Sequence, residues 1–200
     1  MKRLWILLGT VLPVLFVVHS LGARPPVSSP VAQESDTPAP VERGKYLATL
    51  AGCHNCHSPK IFPDGLTPEP DPERLFSGHP ADEELPAIPL GLIGPGAGQW
   101  GGITNNHFTA WIGVWGVSFA RNLTPDVETG IGSWTEGMFV NVMRTGQHEG
   151  EGRAILPPMP WKMFQQFTDE DLEAIFHYLG SVPPIHNPVP DPIPPEDWIR

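Results

Sequence analysis

Residues 44–60 of the 200-residue chain read GKYLATLAGCHNCHSPK and contain both of its cysteines. Cys53 and Cys56 are three residues apart, and His57 directly follows the second cysteine. On one helical turn, side chains at positions i, i+3 and i+4 lean towards the same side. The sequence therefore predicts that two thiols and one imidazole face a common ligand.

The five-residue CxxCH pattern is the attachment signature of a c-type haem. The two thiols add to the vinyl groups of the haem, and the adjacent imidazole ligates its iron. The alternatives are a zinc site, a thioredoxin-like redox pair and a structural disulfide. A zinc site needs a second ligand pair, which His148, His177 and His186 do not supply at a suitable spacing. A redox pair needs a βαβ context that the sequence lacks, and a disulfide leaves His57 unexplained.

The N-terminal segment, residues 1–23, is typical of an export signal or of an N-terminal membrane anchor. Two basic residues precede an uncharged run from Leu4 to Ala23, long enough as a helix to cross about 30 Å of bilayer core. Residues 24–40 form a Pro/Ser-rich linker. Both alternatives predict a periplasmic domain, on the outer side of the cytoplasmic membrane.

The chain is acidic, with a formal net charge of -10. Nucleic acids and anionic lipids bind basic patches, so this charge disfavours both classes of partner for the domain. It favours a partner with a positively charged face. The densest acidic cluster, within residues 169–173, is interpreted as the solvated first turn of a helix.

Residues 41–200 are predicted to form one domain of short elements and long loops, because the chain contains 26 prolines and 21 glycines. Apolar periodicity and capping residues predict helices over residues 41–51, 133–146 and 168–180. The second is expected to begin with a Ser133/Glu136 capping box and to end at Gly146, and the third to run from a Thr168 cap to Gly180. Residues 58–120 form a long, loop-rich stretch, in which the aromatic and β-branched residues of 106–120 predict a small hairpin.

Four segments carry a resemblance to a known family. VERGKYLATLAGCHNCH (41–57), PPMPW (157–161) and TDEDLEAIFHYLGSVPP (168–184) resemble the monohaem class I cytochrome c domain. NLTPDVETGIGSWTEGMFVNVMRTG (122–146) is similar to a segment of the cytochrome c subunits of bacterial membrane-bound dehydrogenases.

The resemblance implies an all-α, cytochrome c-like fold of a few short helices around one covalently attached haem c. The first and last helices would cross, with Gly44 against Ile175 or Tyr178. The chain departs from the family in its long 58–120 insertion. It also has a single CxxCH, where the dehydrogenase subunits commonly have several.

Met159 is the predicted second axial ligand of the haem iron, opposite His57. Prolines flank it and keep the backbone extended, so the thioether can be presented to a metal. The family places its axial methionine in a loop of this kind before the last helix. The alternative is a gap-filling core methionine, which is the interpretation given to Met138 and Met143 on the preceding helix.

Several further residues are weaker candidates for contacts with a haem. Candidates for binding a propionate are Arg121, Arg144, Arg153 and Trp161; candidates for covering an edge are Trp111, Trp115 and Phe119; alternative iron ligands are His79 and His107.

The sequence as a whole predicts an exported single-haem c-type cytochrome, an electron-transfer protein rather than an enzyme. His/Met ligation raises the reduction potential and fills the sixth position of the iron. Its expected partners are redox proteins, among them a membrane-bound dehydrogenase or oxidase. Two alternatives remain: a haem subunit fixed in a dehydrogenase or terminal oxidase complex, and a haem sensor or enzyme with an open sixth site.

Overall fold

The computed structural model describes residues 39–88, 93 and 101–198, all within one compact unit that begins at Ser35. The predicted leader and most of the predicted linker lie outside the described residues. The helices are α1 (Ala39–Leu50), α2 (Cys53–His57), α3 (Glu136–Thr145), α4 (Trp161–Phe164), α5 (Asp169–Ser181) and α6 (Pro195–Trp198). The strands are β1 (Lys60–Ile61), β2 (Glu69–Pro70), β3 (Gly102–Thr104), β4 (Ala110–Gly113) and β5 (Gly116–Phe119). Among the described residues, no helix is both long and apolar enough to cross a bilayer.

Helices α1 and α5 cross at Gly44. A Cβ atom on Gly44 would overlap the carbonyl oxygen of Ala174 and lie 2.9 Å from Cβ of Tyr178. The expected contact with Tyr178 is confirmed, and the backbone of Ala174 comes closer still. Beside the crossing, Arg43 donates two hydrogen bonds to the carboxylate of Asp171, the Nε–Oδ1 distance being 2.9 Å. This acidic residue, interpreted from the sequence as solvated, therefore pairs with a neighbouring helix.

The N-cap of α3 lies two residues after the predicted one. The hydroxyl of Thr135 accepts a hydrogen bond from the backbone N–H of Met138, so Thr135 is the N-cap and the prediction of Ser133 was wrong. Ser133 lies instead in a turn closed by a hydrogen bond from the Trp134 N–H to the Ile131 carbonyl. The end of α3 was predicted correctly, since Gly146 has a left-handed backbone with φ 67°.

Helix α5 has the predicted N-cap, because the hydroxyl of Thr168 accepts from the N–H of Asp171. The predicted end at Gly180 was wrong, since the helix continues through Ser181 and Val182 is the C-cap. Two prolines follow Val182, and a residue before proline is restricted to the extended conformation that Val182 adopts. The prolines, rather than the glycine, therefore end the helix.

One hydrophobic core joins α1, α3, α4 and α5. Its buried side chains come from the apolar faces of these helices and from two loops: Leu47, Ala48, Phe76, Ile131, Phe139, Val142, Met143, Phe164, Leu172, Ile175 and Leu179. The burial of Met143 agrees with the packing role predicted for it.

The insertion has more regular structure than the sequence predicts. The hairpin expected within residues 106–120 is confirmed as β4 and β5, and β3 adds a third antiparallel strand beside β4. Strands β1 and β2 form a second small ladder. The C-terminal tail joins β5, because Val117 and Ile193 exchange two backbone hydrogen bonds of 2.8 and 3.0 Å. A second core forms there from Ile93, Ala110, Ile112, Val117, Phe119 and Val189.

The described residues thus combine helices around one core with two small sheets. The all-α class expected from the resemblance stays a prediction.

Candidate haem-binding site

A cavity of about 550 Å³ opens into the helical core. Cys53, Cys56, His57 and Met159, the four residues singled out in the sequence, all line it. Its volume falls within the range of roughly 300–1,000 Å³ that is usual for small-molecule and cofactor sites. Most of its inner wall is apolar and belongs to the main core, including Ile131, Phe139, Val142, Leu172, Ile175 and Leu179.

The cysteines and the histidine reach the cavity because α2 follows α1 after a sharp change of direction. Gly52 makes this turn in the left-handed region, with φ 69°, which a residue with a side chain rarely adopts. Cys53 then begins α2 and His57 ends it. The single helical turn predicted from the CxxCH spacing is therefore confirmed.

The ring of His57 is held by a backbone carbonyl. Its Nδ1 atom lies 2.7 Å from the carbonyl oxygen of Arg121. A carbonyl only accepts hydrogen bonds, so Nδ1 is the protonated nitrogen and donates. The neutral ring then keeps its lone pair on Nε2, and burial lowers the pKa of His57, favouring this neutral form. His57 is therefore in the tautomer that metal-ligating histidines adopt when their second nitrogen is hydrogen-bonded.

The two thiols do not have the properties of a redox pair. Burial raises the pKa of Cys53 to about 11, and burial also raises the pKa of Cys56. Reactive thiols of the thioredoxin type need a lowered pKa. In the part of the chain that the structure describes, no three His, Cys, Asp or Glu side chains come together as a metal-binding group.

Met159 approaches the cavity from the loop between α3 and α4. It is partly buried and packs against the main core. His148 lines the same cavity and lies edge-on to Trp134, with 5.8 Å between ring centroids. From the sequence, His148 was a candidate only for zinc, because nothing near it resembles the proline-flanked loop of Met159.

The groups around the cavity fit a haem c. An apolar wall suits a porphyrin, and two thiols with an adjacent imidazole suit its covalent attachment. The Nε2 lone pair of His57 and the thioether of Met159 are both known axial donors. Arg121 and Arg153, two of the residues predicted to bind a propionate, also line the cavity.

Known proteins similar to this chain include cytochrome c subunits of dehydrogenases. No protein-family model matches the chain. It is 27% identical over 78% of its length to the gluconate 2-dehydrogenase cytochrome c subunit of Pantoea cypripedii. It is 26% identical over 80% of its length to the alcohol dehydrogenase (quinone) cytochrome c subunit of Gluconobacter oxydans. A shorter match, 36% identical over 90 residues, is to one chain of the nicotinate dehydrogenase of Pseudomonas putida.

The chain is similar to the cytochrome c subunits of dehydrogenases. The resemblance stated from the sequence motifs is thereby confirmed. The matched region spans only about a quarter of the two cytochrome c subunits, 26% and 25%, and 8% of the nicotinate dehydrogenase chain.

The weaker candidates divide into two groups. Those that line the cavity are Arg121, Arg153, Trp111 and Phe119. The others have partners elsewhere. Arg144 donates to Asp169 and to two backbone carbonyls between α4 and α5. His79 is buried against Thr109, and the Nδ1 of His107 accepts from the backbone N–H of Lys60.

The side chain of Arg121 was a candidate for binding a haem propionate. In the structure, it is the backbone carbonyl of Arg121 that contacts His57. Its guanidinium donates to the carbonyl oxygens of Val189 and Pro190, at 3.0 Å each. This ties the C-terminal tail to the loop that holds His57. No local sequence signal marks a backbone carbonyl as a partner of a histidine 64 residues away.

Proposed function

We propose that this protein carries electrons on a single haem c, attached through Cys53 and Cys56 and ligated by His57 and Met159. The observation that carries the proposal is that all four side chains line one cavity in the apolar core. The names of its relatives, cytochrome c subunits of dehydrogenases, support the same cofactor.

When bound, the haem supplies a one-electron Fe(III)/Fe(II) couple. The chain would control this couple in three ways. The hydrogen bond to Arg121 orients His57 and makes its Nε2 a better donor. As a ligand of the iron, the thioether of Met159 would favour the reduced form and would exclude small ligands. The apolar wall around Phe139 and Leu172 would keep water away from the haem. It would also disfavour the additional positive charge of the oxidised iron.

The proposed partner is a dehydrogenase on the outer side of the cytoplasmic membrane, reached after export. The relatives are subunits of dehydrogenases, and the net charge of -10 suits a partner with a basic docking face. Electron-transfer contacts of this kind are usually small and transient.

The direct test is an intact mass and an optical spectrum of protein produced in a host that exports it and attaches haem. We expect the mass of one haem, no free thiols, and the Met-to-iron charge-transfer band in the oxidised form. Ready binding of carbon monoxide by the reduced protein at neutral pH, together with loss of that band, would instead support an open sixth site. A colourless protein with two free thiols would overturn the proposal altogether.

A second candidate is a subunit fixed permanently in a dehydrogenase complex, which the names of the relatives favour. The two candidates differ in how the protein leaves a solubilised membrane. Stoichiometric recovery with a large dehydrogenase subunit supports the fixed subunit. Recovery as a free monomer that reduces or oxidises the dehydrogenase on remixing supports the mobile carrier.

A further inference from the structure

Lys60 is a buried lysine three residues beyond His57. Only 5% of its surface is exposed, whereas lysine is almost never this buried unless its charge is compensated. Its Nζ atom donates to the carbonyl oxygen of His54 at 3.2 Å and to the carbonyl oxygen of Ser58. The side chain therefore folds back over the C-terminal end of α2, the helix that carries both cysteines and His57.

The charge of Lys60 has no carboxylate partner among the described residues. The Nζ contacts there are both with backbone carbonyls, and burial lowers the pKa of the side chain. Carbonyl dipoles at a helix C-terminus favour a cation, but they do not neutralise it. An uncompensated buried charge is costly, and such groups concentrate at functional sites.

The field of this charge reaches the candidate haem site. The Nζ atom of Lys60 lies at the end of α2 that carries His57, because its two acceptors, the carbonyls of His54 and Ser58, flank His57 along the chain. A positive charge at this end of α2 disfavours a further positive charge on a metal bound by His57.

We propose that Lys60 sets the reduction potential of the site: its buried positive charge stabilises the reduced, less positive form of a haem ligated by His57. This inference rests on the proposed function. The oxidised form carries one more positive charge than the reduced form, so the Lys60 ammonium disfavours oxidation. Because the charge is buried, its effect is screened by salt much less than that of a surface lysine.

The test compares midpoint potentials of the holoprotein and four variants. Lys60→Met removes the charge but keeps the backbone N–H that donates to His107. Lys60→Gln does the same with a side chain that can still donate to a carbonyl. Lys60→Arg keeps the charge. Lys45→Met removes an exposed lysine from α1 and serves as the control.

We expect Lys60→Met and Lys60→Gln to shift the one-electron equilibrium about tenfold towards the oxidised form, a fall of about 59 mV. Lys60→Arg should stay near the original potential, and Lys45→Met should change it little at physiological salt. Should Lys60→Met fail to fold, Lys60→Gln carries the same expectation.

Unchanged potentials in the neutral variants, with native spectra, would overturn the inference. So would an equal fall in Lys60→Arg, which would make the role of Lys60 structural. Both results leave the proposed function intact. That proposal fails separately if the unmodified protein has no haem spectrum and no one-electron couple.

Discussion

Gly44 and Ala174 meet backbone to backbone where α1 crosses α5. There is no space for a side chain at Gly44, because a Cβ atom would overlap the Ala174 carbonyl oxygen. This crossing fixes α5, which supplies Leu172, Ile175 and Leu179 to the cavity wall. Gly44 therefore allows α5 to lie close to α1, in the position from which its three side chains form part of the cavity wall.

Gly44→Ala is expected to destabilise the protein by about 1–3 kcal/mol, the usual cost of overpacking a close contact. Chemical denaturation of the holoprotein measures the difference. Gly180→Ala is the matched control, since Gly180 lies inside α5 with no atom close to its missing Cβ. In a helix, alanine is favoured over glycine by about 0.5–1 kcal/mol, so this variant should be more stable. Destabilisation by both variants would contradict the assignment of Gly180 to the helix.

Thr135→Ala is expected to cost about 1 kcal/mol of stability, because it removes the hydroxyl that accepts from the Met138 N–H. Ser133→Ala tests the rejected alternative. Its hydroxyl makes no contact with α3 among the described hydrogen bonds, so its removal should change stability by less than about 0.5 kcal/mol. The reverse order of the two effects would mean that the helix is capped at Ser133.

The sequence predicts the local parts of this site well. The CxxCH turn follows from spacing alone, and the loop of Met159 from its prolines. The three longer helices, α1, α3 and α5, also followed from capping and periodicity, with errors at their ends, whereas the short helices α4 and α6 were not predicted. At α3, Ser133 and Thr135 are both favourable N-cap residues. The structure selects Thr135, because Ser133 lies in the turn that the Trp134 N–H closes with the Ile131 carbonyl.

The non-local parts could not be predicted in this way. The partner of His57 is a backbone carbonyl in another part of the chain, which leaves no pattern in the residues around either group. The pairing of Val117 with Ile193 joins a strand to a proline-rich tail that has no strand signal. Lys60 looks like a surface lysine in the sequence, and its burial depends on the fold of the insertion around it.

Asp64 gives a pH-dependent prediction for the loop between β1 and β2. Its carboxylate accepts hydrogen bonds from the N–H of Leu66 and from the N–H and hydroxyl of Thr67. The Thr67 bonds, first the hydroxyl, lower the pKa of Asp64 to about 2 from an ordinary value of 3.8. Since the folded pKa is the lower one, the stabilisation is complete above about pH 4 and is lost as the pH falls through 2.

An NMR titration of the Asp64 carboxyl measures this shift. Thr67→Val removes the hydroxyl donor and should raise the pKa of Asp64 towards its ordinary value. Leu66→Ala keeps the backbone donor and removes only an exposed side chain, so it should leave the titration unchanged. An ordinary Asp64 pKa in the unmodified protein would mean that these hydrogen bonds do not persist in solution.

Met159→Leu tests the proposed axial pair. The haem should stay attached, since Cys53, Cys56 and His57 are untouched, while the reduction potential falls because a thioether that favours the reduced form is lost. We expect a fall of at least about 59 mV, a tenfold change for one electron, and loss of the Met-to-iron band. His148→Gln is the control, because His148 lines the same cavity and its imidazole is the alternative ligand for the iron. If His148→Gln lowers the potential and Met159→Leu does not, His148 rather than Met159 is the ligand opposite His57.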